Sequence, residues 1–457
     1  MTAPGLEDLV RVHMVGAGGA GMSGLAKLLT RRGHTVTGSD LKPGRMLDAL
    51  AEVGIETWIG HRPDRADSWD LVVASSAVPP GDPELVAARE AQVPVWERPR
   101  LLGALTAAMP AVGIAGTHGK TTSTALMVSA LRTMGLDPSF LVGGTLVDQN
   151  TGAHLGADDR FVLEADEAFG TFLELNLEAL LVTNIEADHL DYYGDIESLH
   201  RAFRRVAGQV EGPVVVCADD AGSAALADLP GVITFGRSPE ATWQISRVTH
   251  EGWSTHFTID EPGGRSHDVT VPKPGTHIAL DAAGVLVLCA ELGLDPGSVA
   301  RAMSAFRGVR RRFEIRAQAS GVLVVEDYAH HPTEIAATIE AARLGAPGRV
   351  WVVFQPHRYT RTADLAAEFG PALSGADRVI VTDIYPAGET PIPGVTAQLV
   401  VDSVRRAGGD AVEIGGFSEL ARRLVPELME GDLVLLLGAG DVNQAAEPIA
   451  TGLGART

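Results

Sequence analysis

The segment VGIAGTHGKTT, at residues 112–122, leaves few folds open to the chain that contains it. Its apolar start ends at a glycine-rich turn, and residues 123–134 have the apolar spacing of a helix. A strand, a glycine-rich loop and a helix in this order cradle phosphate, because the loop N–H groups and the helix N-terminus face the anion. The general phosphate-loop formula has a glycine where Ile114 stands, so this is a shorter variant. The alternative is an ordinary Gly/Thr turn.

Length and charge narrow the class of protein. At 457 residues the chain is too long for one ordinary core, so we expect about three domains. A net charge of −21 would repel phosphate backbones and anionic lipids, so no nucleic-acid partner is expected. No apolar run reaches the ~18 residues of a membrane span, which argues against membrane insertion. Two cysteines outside any Cys-x-x-Cys motif, and an acidic N-terminus unlike a signal peptide, suggest a cytoplasmic protein.

Strand and helix signals alternate along the chain, which predicts an α/β protein of three domains. Residues 1–108 carry the sequence GAGGAG, at residues 16–21, between a strand and a helix. Asp40 follows about 20 positions on, as in Rossmann-like nucleotide-binding domains, where it bonds a ribose hydroxyl or, alternatively, caps a loop. Residues 109–312 hold the phosphate loop and form a central domain of the P-loop ATPase type. Residues 313–457 form a third, parallel α/β sheet.

Acidic side chains and a histidine follow the two strands after the phosphate loop. Glu164 begins the sequence EADE at the end of the first strand, and His189 lies in NIEADHLD after the next. The carboxyl ends of parallel strands meet at one edge of a sheet, where ligands bind. Glu164 is predicted to hold Mg²⁺, the alternative being a solvated loop residue. His189 is predicted to be a second metal ligand or a proton carrier rather than a structural histidine.

The last third of the chain contains three polar clusters. The arginines at 310–312 are either a solvated charge run or a phosphate clamp at a domain hinge. The sequences YAHHP, at 328–332, and QPHRYTR, at 355–361, each follow a predicted strand. Either their cations and hydroxyls face the central domain, or they are the ordinary polar residues of loops.

Together these motifs resemble those of the Mur ligase family over nearly the whole chain. The matching segments are GAGGAGMSG (16–24), GSD (38–40), SSAV (75–78), GTHGKTT (116–122), EADE (164–167), NIEADHLD (184–191), RRFE (311–314), DYAHHPTE (327–334), FQPHRYTRT (354–362) and GAGD (438–441). The resemblance implies a Rossmann-like UDP-sugar-binding domain, a central P-loop ATPase-type domain and a C-terminal Rossmann-like domain. It implies a ligase of peptidoglycan synthesis that uses ATP and Mg²⁺. That ligase would join L-alanine to the lactyl carboxylate of UDP-N-acetylmuramate through an acyl phosphate.

The resemblance also implies roles for single residues. Lys120 would contact the β- and γ-phosphates and face solvent or phosphate, Thr121 and Glu164 would hold one Mg²⁺, and His189 would help to hold a second. His118 would lie near the muramoyl carboxylate. Further nucleotide-binding residues would be Gly116, Thr117, Gly119, Thr122, His277, Asp281, Arg311 and Asp327. The UDP-sugar site would comprise Gly18, Gly19, Ala20, Gly21, Met22, Ser23, Ser39, Asp40 and Ser75. In the third domain, the substrate-binding Arg358 and the catalytic residues His330 and Arg361 would close over ATP and the amino acid.

Four positions depart from the family pattern, and one of them is Thr276, which stands where the alanine-adding enzymes have the Arg of Pro-Gly-Arg-His. Ala168 and Phe169 stand where the alanine-adding enzymes have Ser-Asp, and Asp281 stands where an Asn near adenine is expected. The last change replaces a donor-acceptor amide with an acceptor-only carboxylate. Two alternatives therefore stay open: a ligase that attaches a preformed murein peptide to the same sugar nucleotide, and a Mur-like nucleotide-binding protein with weakened catalysis. The chain is expected to be a monomer or a weak homo-oligomer.

Overall fold

The structure, a computed structural model, describes residues 6–455, except the side chains of Glu7, Ala20 and Asp191. Its strands form three sheets, and the described chain divides into two compact units. The first unit runs to Arg247 and includes Thr258–Val269 and Leu280–Arg307; the second comprises Val248–Phe257, Thr270–Ala279 and the chain from Gly308 on. The predicted α/β class with three sheets is confirmed. The domain limits 108/109 and 312/313 stay predictions.

The first sheet contains five parallel strands. In chain order its elements are β1 (Arg11–Val15), α1 (Ala20–Arg31), β2 (Thr35–Asp40), α2 (Arg45–Ala51), β3 (Glu56–Ile59), β4 (Leu71–Ala74), α3 (Pro83–Glu90), β5 (Val95–Glu97) and α4 (Arg98–Ala107). The strand order β3-β2-β1-β4-β5 reverses direction beside β1, and such a switch point is where open α/β sheets bind ligands. Residues 16–21 leave β1 at this point. The sequence did not predict β3, because Trp58 is its one buried residue and no apolar run marks it.

The second sheet has ten strands. Its elements are β6 (Ala111–Ala115), α5 (Lys120–Thr133), β7 (Ser139–Leu146), β8 (Thr151–His154), β9 (Phe161–Glu164), β10 (Ala179–Val182), α6 (Leu190–Tyr193), α7 (Ile196–Ala207), β11 (Val214–Cys217), α8 (Ala221–Ala224), β12 (Val232–Gly236), β13 (Trp243–Glu251), β14 (Ser254–Asp260), β15 (Ser266–Val271), α9 (Thr276–Glu291) and α10 (Pro296–Met303). The order is β15-β14-β13-β12-β11-β10-β6-β9-β7-β8. Strand β6 is parallel to β10 on one side and to β9 on the other, and all its residues are buried. The phosphate loop therefore leaves the interior of the sheet at its carboxyl edge, where Glu164 ends the neighbouring strand.

Helix α1 packs on strands β7 and β8 of the second sheet. A Cβ built on Gly24 would lie 2.7 Å from Leu141 Cδ1 and 3.2 Å from the Ala153 Cβ, so only glycine allows this close approach. Arg31 Nη1 lies 2.9 Å from the ring of His154. The glycine loop before α1 and the phosphate loop before α5 therefore belong to one compact unit.

The third sheet has six strands. Its elements are β16 (Glu314–Ala319), β17 (Val322–Asp327), α11 (Pro332–Gly345), β18 (Val350–Phe354), α12 (Tyr359–Asp364), α13 (Ala366–Leu373), β19 (Arg378–Val381), α14 (Gln398–Arg406), β20 (Ala411–Glu413), α15 (Phe417–Leu424), β21 (Leu433–Leu437) and α16 (Ala446–Gly454). The order is β16-β17-β21-β18-β19-β20. Four pairings are parallel, but the edge strand β16 runs antiparallel to β17, which corrects the predicted all-parallel sheet. None of the residues of β16 is fully buried, so its sequence carries no strand signal.

The long helices are core helices. Helix α9 is apolar along most of its length, but its 16 residues are fewer than the about 20 that cross a bilayer. Across residues 6–455, no helix combines the length and the apolar character needed to span a membrane.

Candidate active site

The phosphate loop requires glycine at two positions. Gly116 and Gly119 have φ angles of 133° and 83°, in the region that favours glycine. A Cβ at Gly116 would collide with the Thr183 hydroxyl, and a Cβ at Gly119 would collide with the Asp281 carboxylate. These glycines let the backbone curl tightly between β6 and α5, as a phosphate-binding loop requires.

Lys120 is held by the loop and by a buried carboxylate. Its Nζ donates to the Gly116 carbonyl oxygen at 2.6 Å and to the two Glu167 carboxylate oxygens at 2.9 and 2.7 Å. Glu167 is 1% exposed and the Lys120 side chain 14%, so Lys120 has little contact with solvent, and the expectation that it faces solvent or phosphate now rests on the phosphate alternative. Burial disfavours the ammonium, but the charges of Glu167 and Asp166 outweigh it and raise the pKa of Lys120. Lys120 is therefore a fixed positive charge at the loop.

Glu164 and Thr121 form an oxygen pair beside Lys120. Glu164 Oε1 accepts the Gly143 N–H at 2.5 Å, and the Thr121 hydroxyl lies near enough to the same carboxylate to favour its charged form and so lower its pKa. Burial raises the pKa of Glu164, against the opposing effect of the Gly143 N–H. A hydroxyl and a carboxylate are hard oxygen ligands of the kind that Mg²⁺ takes beside a phosphate. The two residues predicted to share a metal are thus brought together.

His118 is tied to the segment that follows β10. Its N–H donates to Asn184 Oδ1 at 2.8 Å, and its carbonyl accepts from the Thr183 hydroxyl at 2.6 Å. Its ring Nε2 lies 3.1 Å from Glu186 Oε2. The Thr117 hydroxyl is bonded to the backbone of Glu186, at 2.9 Å from its nitrogen. The sequence did not predict these contacts; the signal was the run of polar residues at the carboxyl end of β10.

His189 lies further along the same segment in a strained backbone conformation. Its φ and ψ are 55° and 29°, and it precedes helix α6. For a residue other than glycine such a conformation costs about 1–3 kcal/mol and is found mostly at functional sites. Its N–H donates to Asp188 Oδ1 at 2.8 Å. The role of His189 as a metal ligand stays a prediction.

Asp281 is the departure from the family pattern that lies at the phosphate loop. Asp281 is buried on α9, with its carboxylate against Gly119. Phe169 has a φ of 53°, is 49% exposed and meets Tyr192 edge-on, with ring centroids 6.2 Å apart. The hydroxyl of Tyr193 donates to the carbonyl of Glu167 at 2.6 Å, which anchors the partner of Lys120. The sequence motif contained Glu167, but it assigned Glu167 no role.

The glycine loop of the first sheet is held by the end of β2. The N–H groups of Gly16 and Ala17 both donate to the carbonyl of Ser39 at 2.9 Å. Asp40 Oδ2 accepts the Gly18 N–H at 2.9 Å. Asp40 therefore caps the loop, and its proposed contact with a ribose stays a prediction. Gly19 begins α1 without any side-chain cap, so the helix N-terminus keeps donors for an anion.

Three residues assigned to the UDP-sugar site have buried side chains. Ser39 is 1% exposed, Met22 2% and Ser23 3%. The Ser39 hydroxyl donates to Glu84 Oε2 at 2.5 Å, and Met22 belongs to the apolar core. These buried side chains support the loop, and the assignment of the three residues to the UDP-sugar site stays a prediction. Ser75 lies beside Gly16, while the side chain of Ala20 is outside the described residues.

A buried polar cluster lies beneath this loop. The His13 ring is stacked between Trp58 and Trp69, at centroid distances of 4.9 and 4.2 Å. His13 Nε2 lies 3.4 Å from Glu84 Oε2, and Trp58 Nε1 donates to Glu84 Oε1 at 2.9 Å. With the Ser39 hydroxyl, these bonds satisfy the Glu84 carboxylate, which has no solvent exposure. The cluster fixes β1, β2, β3 and α3 against one another.

Glu84 is expected to make the stability of the fold sensitive to acid. Burial opposes its charge, but hydrogen bonds from His13 and Ser39 outweigh burial and lower the pKa to about 2. A lowered pKa stabilises the fold above the unfolded-state value of about 4.3, and this contribution is lost as pH falls toward 2. Glu84→Gln should lower the free energy of unfolding by about 2–3 kcal/mol at pH 7. Urea unfolding at several pH values should show this difference shrinking below pH ~4.3; a pH-independent difference would contradict it.

The second compact unit contains the predicted residues His277, Arg311, Asp327, His330, Arg358 and Arg361, while Thr122 lies on α5 in the first unit. Arg311 Nε donates to Glu326 at 2.6 Å, and its Nη2 donates to the carbonyls of Gly438 and Gly440 at 3.0 and 2.9 Å. Asp327 accepts the N–H groups of Phe313 and Ala329 at 2.7 and 2.8 Å. Arg311 and Asp327 therefore organise the loops at the ends of β17 and β21.

His330 and the segment after β18 lie together in this unit. The ring centroids of His330 and His357 are 5.8 Å apart, and His330 Nδ1 lies 3.3 Å from Glu334 Oε2. Arg358 has a φ of 69°, and its N–H donates to the Tyr385 carbonyl at 2.8 Å. The partly buried Arg361 follows on α12. Burial lowers the pKa of His277 to about 4, so this ring is neutral at physiological pH.

Family models match this chain in three consecutive segments. They are the Mur ligase family catalytic domain at residues 11–109, the Mur ligase middle domain at 114–289, and the Mur ligase glutamate ligase domain at 311–440. The chain therefore belongs to the Mur ligase family, as its motifs predicted.

Relatives that match this chain over nearly its full length carry the name of one enzyme of the family. The UDP-N-acetylmuramate–L-alanine ligase of Thermobifida fusca is 42% identical over 464 residues, covering 98% of each chain. That of Mycolicibacterium vanbaalenii is 42% identical over 480 residues, covering all of both chains. Among solved structures, UDP-N-acetylmuramate-alanine ligase from Thermotoga maritima has a TM-score of 0.85 at 28% identity, with 98% of this chain and 100% of that one covered. A murein peptide ligase from Psychrobacter arcticus shares the fold, with a TM-score of 0.71 at 22% identity.

Proposed function

We propose that this chain is a cytoplasmic ligase of peptidoglycan synthesis that uses ATP to join L-alanine to the lactyl carboxylate of UDP-N-acetylmuramate. The observation that carries the proposal is the arrangement at the carboxyl edge of the second sheet. There the phosphate loop, whose conformation requires two glycines, adjoins the charged Lys120. The Thr121–Glu164 oxygen pair lies beside Lys120. The full-length relatives at 42% identity, named for this reaction, support the same substrates. The chain is proposed to act as a monomer or a weak homo-oligomer.

The reaction explains why such a site is needed. A carboxylate and an amine do not condense in water, because hydroxide is a poor leaving group. A carboxylate oxygen therefore attacks the γ-phosphorus of ATP, the bond to the β–γ bridging oxygen breaks, and ADP leaves. The alanine amine then attacks the carbonyl carbon of the acyl phosphate. The tetrahedral intermediate expels phosphate and loses the amine proton, which leaves the amide.

The first step brings two anions together, so positive charge must lie between them. Lys120, the loop N–H groups and the N-terminus of α5 supply part of that charge. Thr121 and Glu164 have the oxygen donors that fit Mg²⁺, and His189 is proposed to help hold a second ion. When bound, Mg²⁺ neutralises the phosphoryl oxygens. His118, oriented by Glu186, is proposed to contact the muramoyl carboxylate.

The second compact unit is proposed to bind ATP and the amino acid. His277, Arg311 and Asp327 would contact the nucleotide, and Arg358 would bind substrate. Arg361, a cation on α12, would pair with the carboxylate of alanine or with phosphate. In the first unit, Asp281 and Thr122 are proposed to be nucleotide-binding residues.

Either His189 or His330 is proposed to assist in removing the proton from the alanine ammonium group. Both rings are candidates because histidine is the side chain that most often serves as a general acid or base in catalysis. His189→Ala or His330→Ala should then shift or remove one limb of the pH–rate profile. Profiles unchanged in both variants would exclude the two histidines from this role.

The identity of the acceptor tests the proposal. The purified chain would be incubated with ATP, Mg²⁺ and UDP-N-acetylmuramate, together with equal amounts of L-alanine and of the tripeptide L-alanyl-γ-D-glutamyl-meso-diaminopimelate. Mass spectrometry should detect the alanine adduct as the main product. A dominant tripeptide adduct would assign the chain to the peptide-attaching ligases. Nucleotide binding without either adduct would make it a binding protein.

A further inference from the structure

Arg98 packs on the glycine loop of the first sheet. It is the first residue of α4, directly after β5. A Cβ built on Gly21 would lie 3.2 Å from each of Arg98 Cζ, Nε and Nη2, so the guanidinium rests on the bare Cα of that glycine. Gly21 is the last glycine of GAGGAG and belongs to the first turn of α1. In effect, the glycine makes room for the guanidinium.

The Arg98 guanidinium has no acceptor among the residues that the structure describes. Its Nε is buried, and among residues 6–455 it has no hydrogen-bond partner. Within the same residues Arg98 also forms no ion pair. A buried N–H of a charged group without an acceptor is costly, and native proteins rarely keep one without a reason.

The position of Arg98 on its helix is also unfavourable. The macrodipole makes the N-terminus of a helix positive, so a cation in the first turn destabilises it. Arg98 occupies the first position of α4, which has no side-chain cap. Neither its helix nor its surroundings therefore explain an arginine here.

The surroundings of Arg98 instead fit a bound anion, which the guanidinium would pair with. The N-terminus of α1 has no side-chain cap, and the N–H groups of Gly21 and Met22 precede the first helical hydrogen bond, from Ser23 to Gly19. The Asp40 carboxylate, which accepts the Gly18 N–H, places a negative charge at the loop. A doubly charged diphosphate at this loop would meet that negative charge, and a guanidinium beside Gly21 would offset it.

We infer that Arg98 binds the diphosphate of the UDP-sugar, with its guanidinium donating to phosphate oxygens beside the N-terminus of α1. The inference rests on the proposed function, since it takes the sugar nucleotide of that reaction as the ligand. It adds a binding residue that no glycine motif contains. It also predicts that Arg98 increases the affinity for a ligand with a diphosphate more than the affinity for a nucleoside monophosphate.

Titration calorimetry on the full chain tests this inference. The probes are UDP-N-acetylmuramate, UDP and UMP, each titrated with a non-hydrolysable ATP analogue and Mg²⁺ at saturation. Loss of a buried charge-assisted hydrogen bond weakens binding about tenfold to a hundredfold. Arg98→Ala should show that loss for UDP-N-acetylmuramate and UDP and a smaller loss for UMP, with Arg98→Lys in between. KM for the sugar nucleotide should rise with little change in kcat.

Arg100→Ala is the matched control. Arg100 lies on the same helix but stacks over the Trp96 ring at 4.6 Å, so its removal changes charge without touching the loop. It should leave all three affinities within about twofold, since a surface charge contributes little. The melting temperature of Arg98→Ala should be unchanged or higher, because an unfavourable cation is removed. If that variant is unstable, Arg98→Met, which keeps the packed stem, decides the result.

The outcomes separate the inference from the proposed function. If the wild-type chain does not bind UDP-N-acetylmuramate, both are overturned. If the wild-type chain binds UDP-N-acetylmuramate and the Arg98 variants bind it equally well, the inference alone is overturned. The same holds if the variants lose affinity for UMP and for UDP to the same extent. A selective loss of diphosphate ligands supports it.

Discussion

Replacing Lys120 with alanine is expected to reduce kcat about 10³-fold or more, because a fixed cation at the transferring phosphoryl group is worth 10³ to 10⁵ in such reactions. The ammonium lies at the phosphate loop and is held by Gly116 and Glu167. Its raised pKa keeps it charged throughout the working pH range. Phosphate release measured under steady-state conditions reports the loss, and turnover near the wild-type rate would refute the site assignment.

The same variant is expected to lose stability. Glu167 would remain buried without its cation, and breaking a buried pair typically costs about 3–5 kcal/mol. Burial raises the pKa of Glu167, so this carboxyl can escape the penalty by binding a proton at low pH. A raised pKa means that stability is lost as pH rises, so the variant should be weaker at pH 9 than at pH 5.5.

A double variant separates the two effects. Lys120→Ala combined with Glu167→Gln should recover much of the stability, because no charge is left buried, but none of the activity. Thermal unfolding at both pH values measures the first result, and phosphate release measures the second. Recovery of activity in the double variant would show that Lys120 acts only by neutralising Glu167.

Glu164→Gln is expected to change activity and stability in opposite directions. Glutamine keeps an acceptor for the Gly143 N–H but loses the charge that an Mg²⁺ ligand needs. The kcat should fall about 10²–10³-fold, with the Mg²⁺ dependence displaced to higher concentration. Because burial raises the pKa of Glu164, its ionised form costs stability at pH 7. The neutral variant should therefore melt at a higher temperature in EDTA.

Glu178→Gln controls for a change of charge alone. Glu178 is an exposed carboxylate that immediately precedes β10 in the same compact unit. It should leave kcat, the Mg²⁺ dependence and the melting temperature nearly unchanged. Equal effects of the two substitutions would mean that Glu164 contributes only to net charge.

The sequence predicted the parts of the fold that depend on local signals. Buried apolar runs that end at obligatory glycines located the β1–α1 and β6–α5 units, because strand burial and a positive φ both leave a mark on residue type. The edge strand β16 left no such mark, because none of its residues is fully buried. Residue propensities and apolar patterns do not identify a strand that forms only because it pairs with a neighbouring strand.

The sequence predicted those residues of the candidate site that belong to sequence motifs. The family resemblance implied that Thr121 and Glu164 act together, and the place of Glu164 near the phosphate loop followed from strand ends meeting at one sheet edge. The motif could not say which face a residue takes: Ser39 and Asp40 are adjacent on β2, so one points to the core and the other to the loop. Arg98 reaches Gly21 through tertiary packing alone, and a motif does not encode such a contact.

In the proposed reaction the lactyl carboxylate is phosphorylated before the amine attacks. UDP-N-acetylmuramate with ¹⁸O in both oxygens of that carboxylate, incubated with ATP, Mg²⁺, L-alanine and the chain, tests it directly. Mass spectrometry of the released phosphate should find one ¹⁸O per phosphate, and little phosphate should form when L-alanine is omitted. Released phosphate without ¹⁸O, or release at the same rate without L-alanine, would contradict the claim.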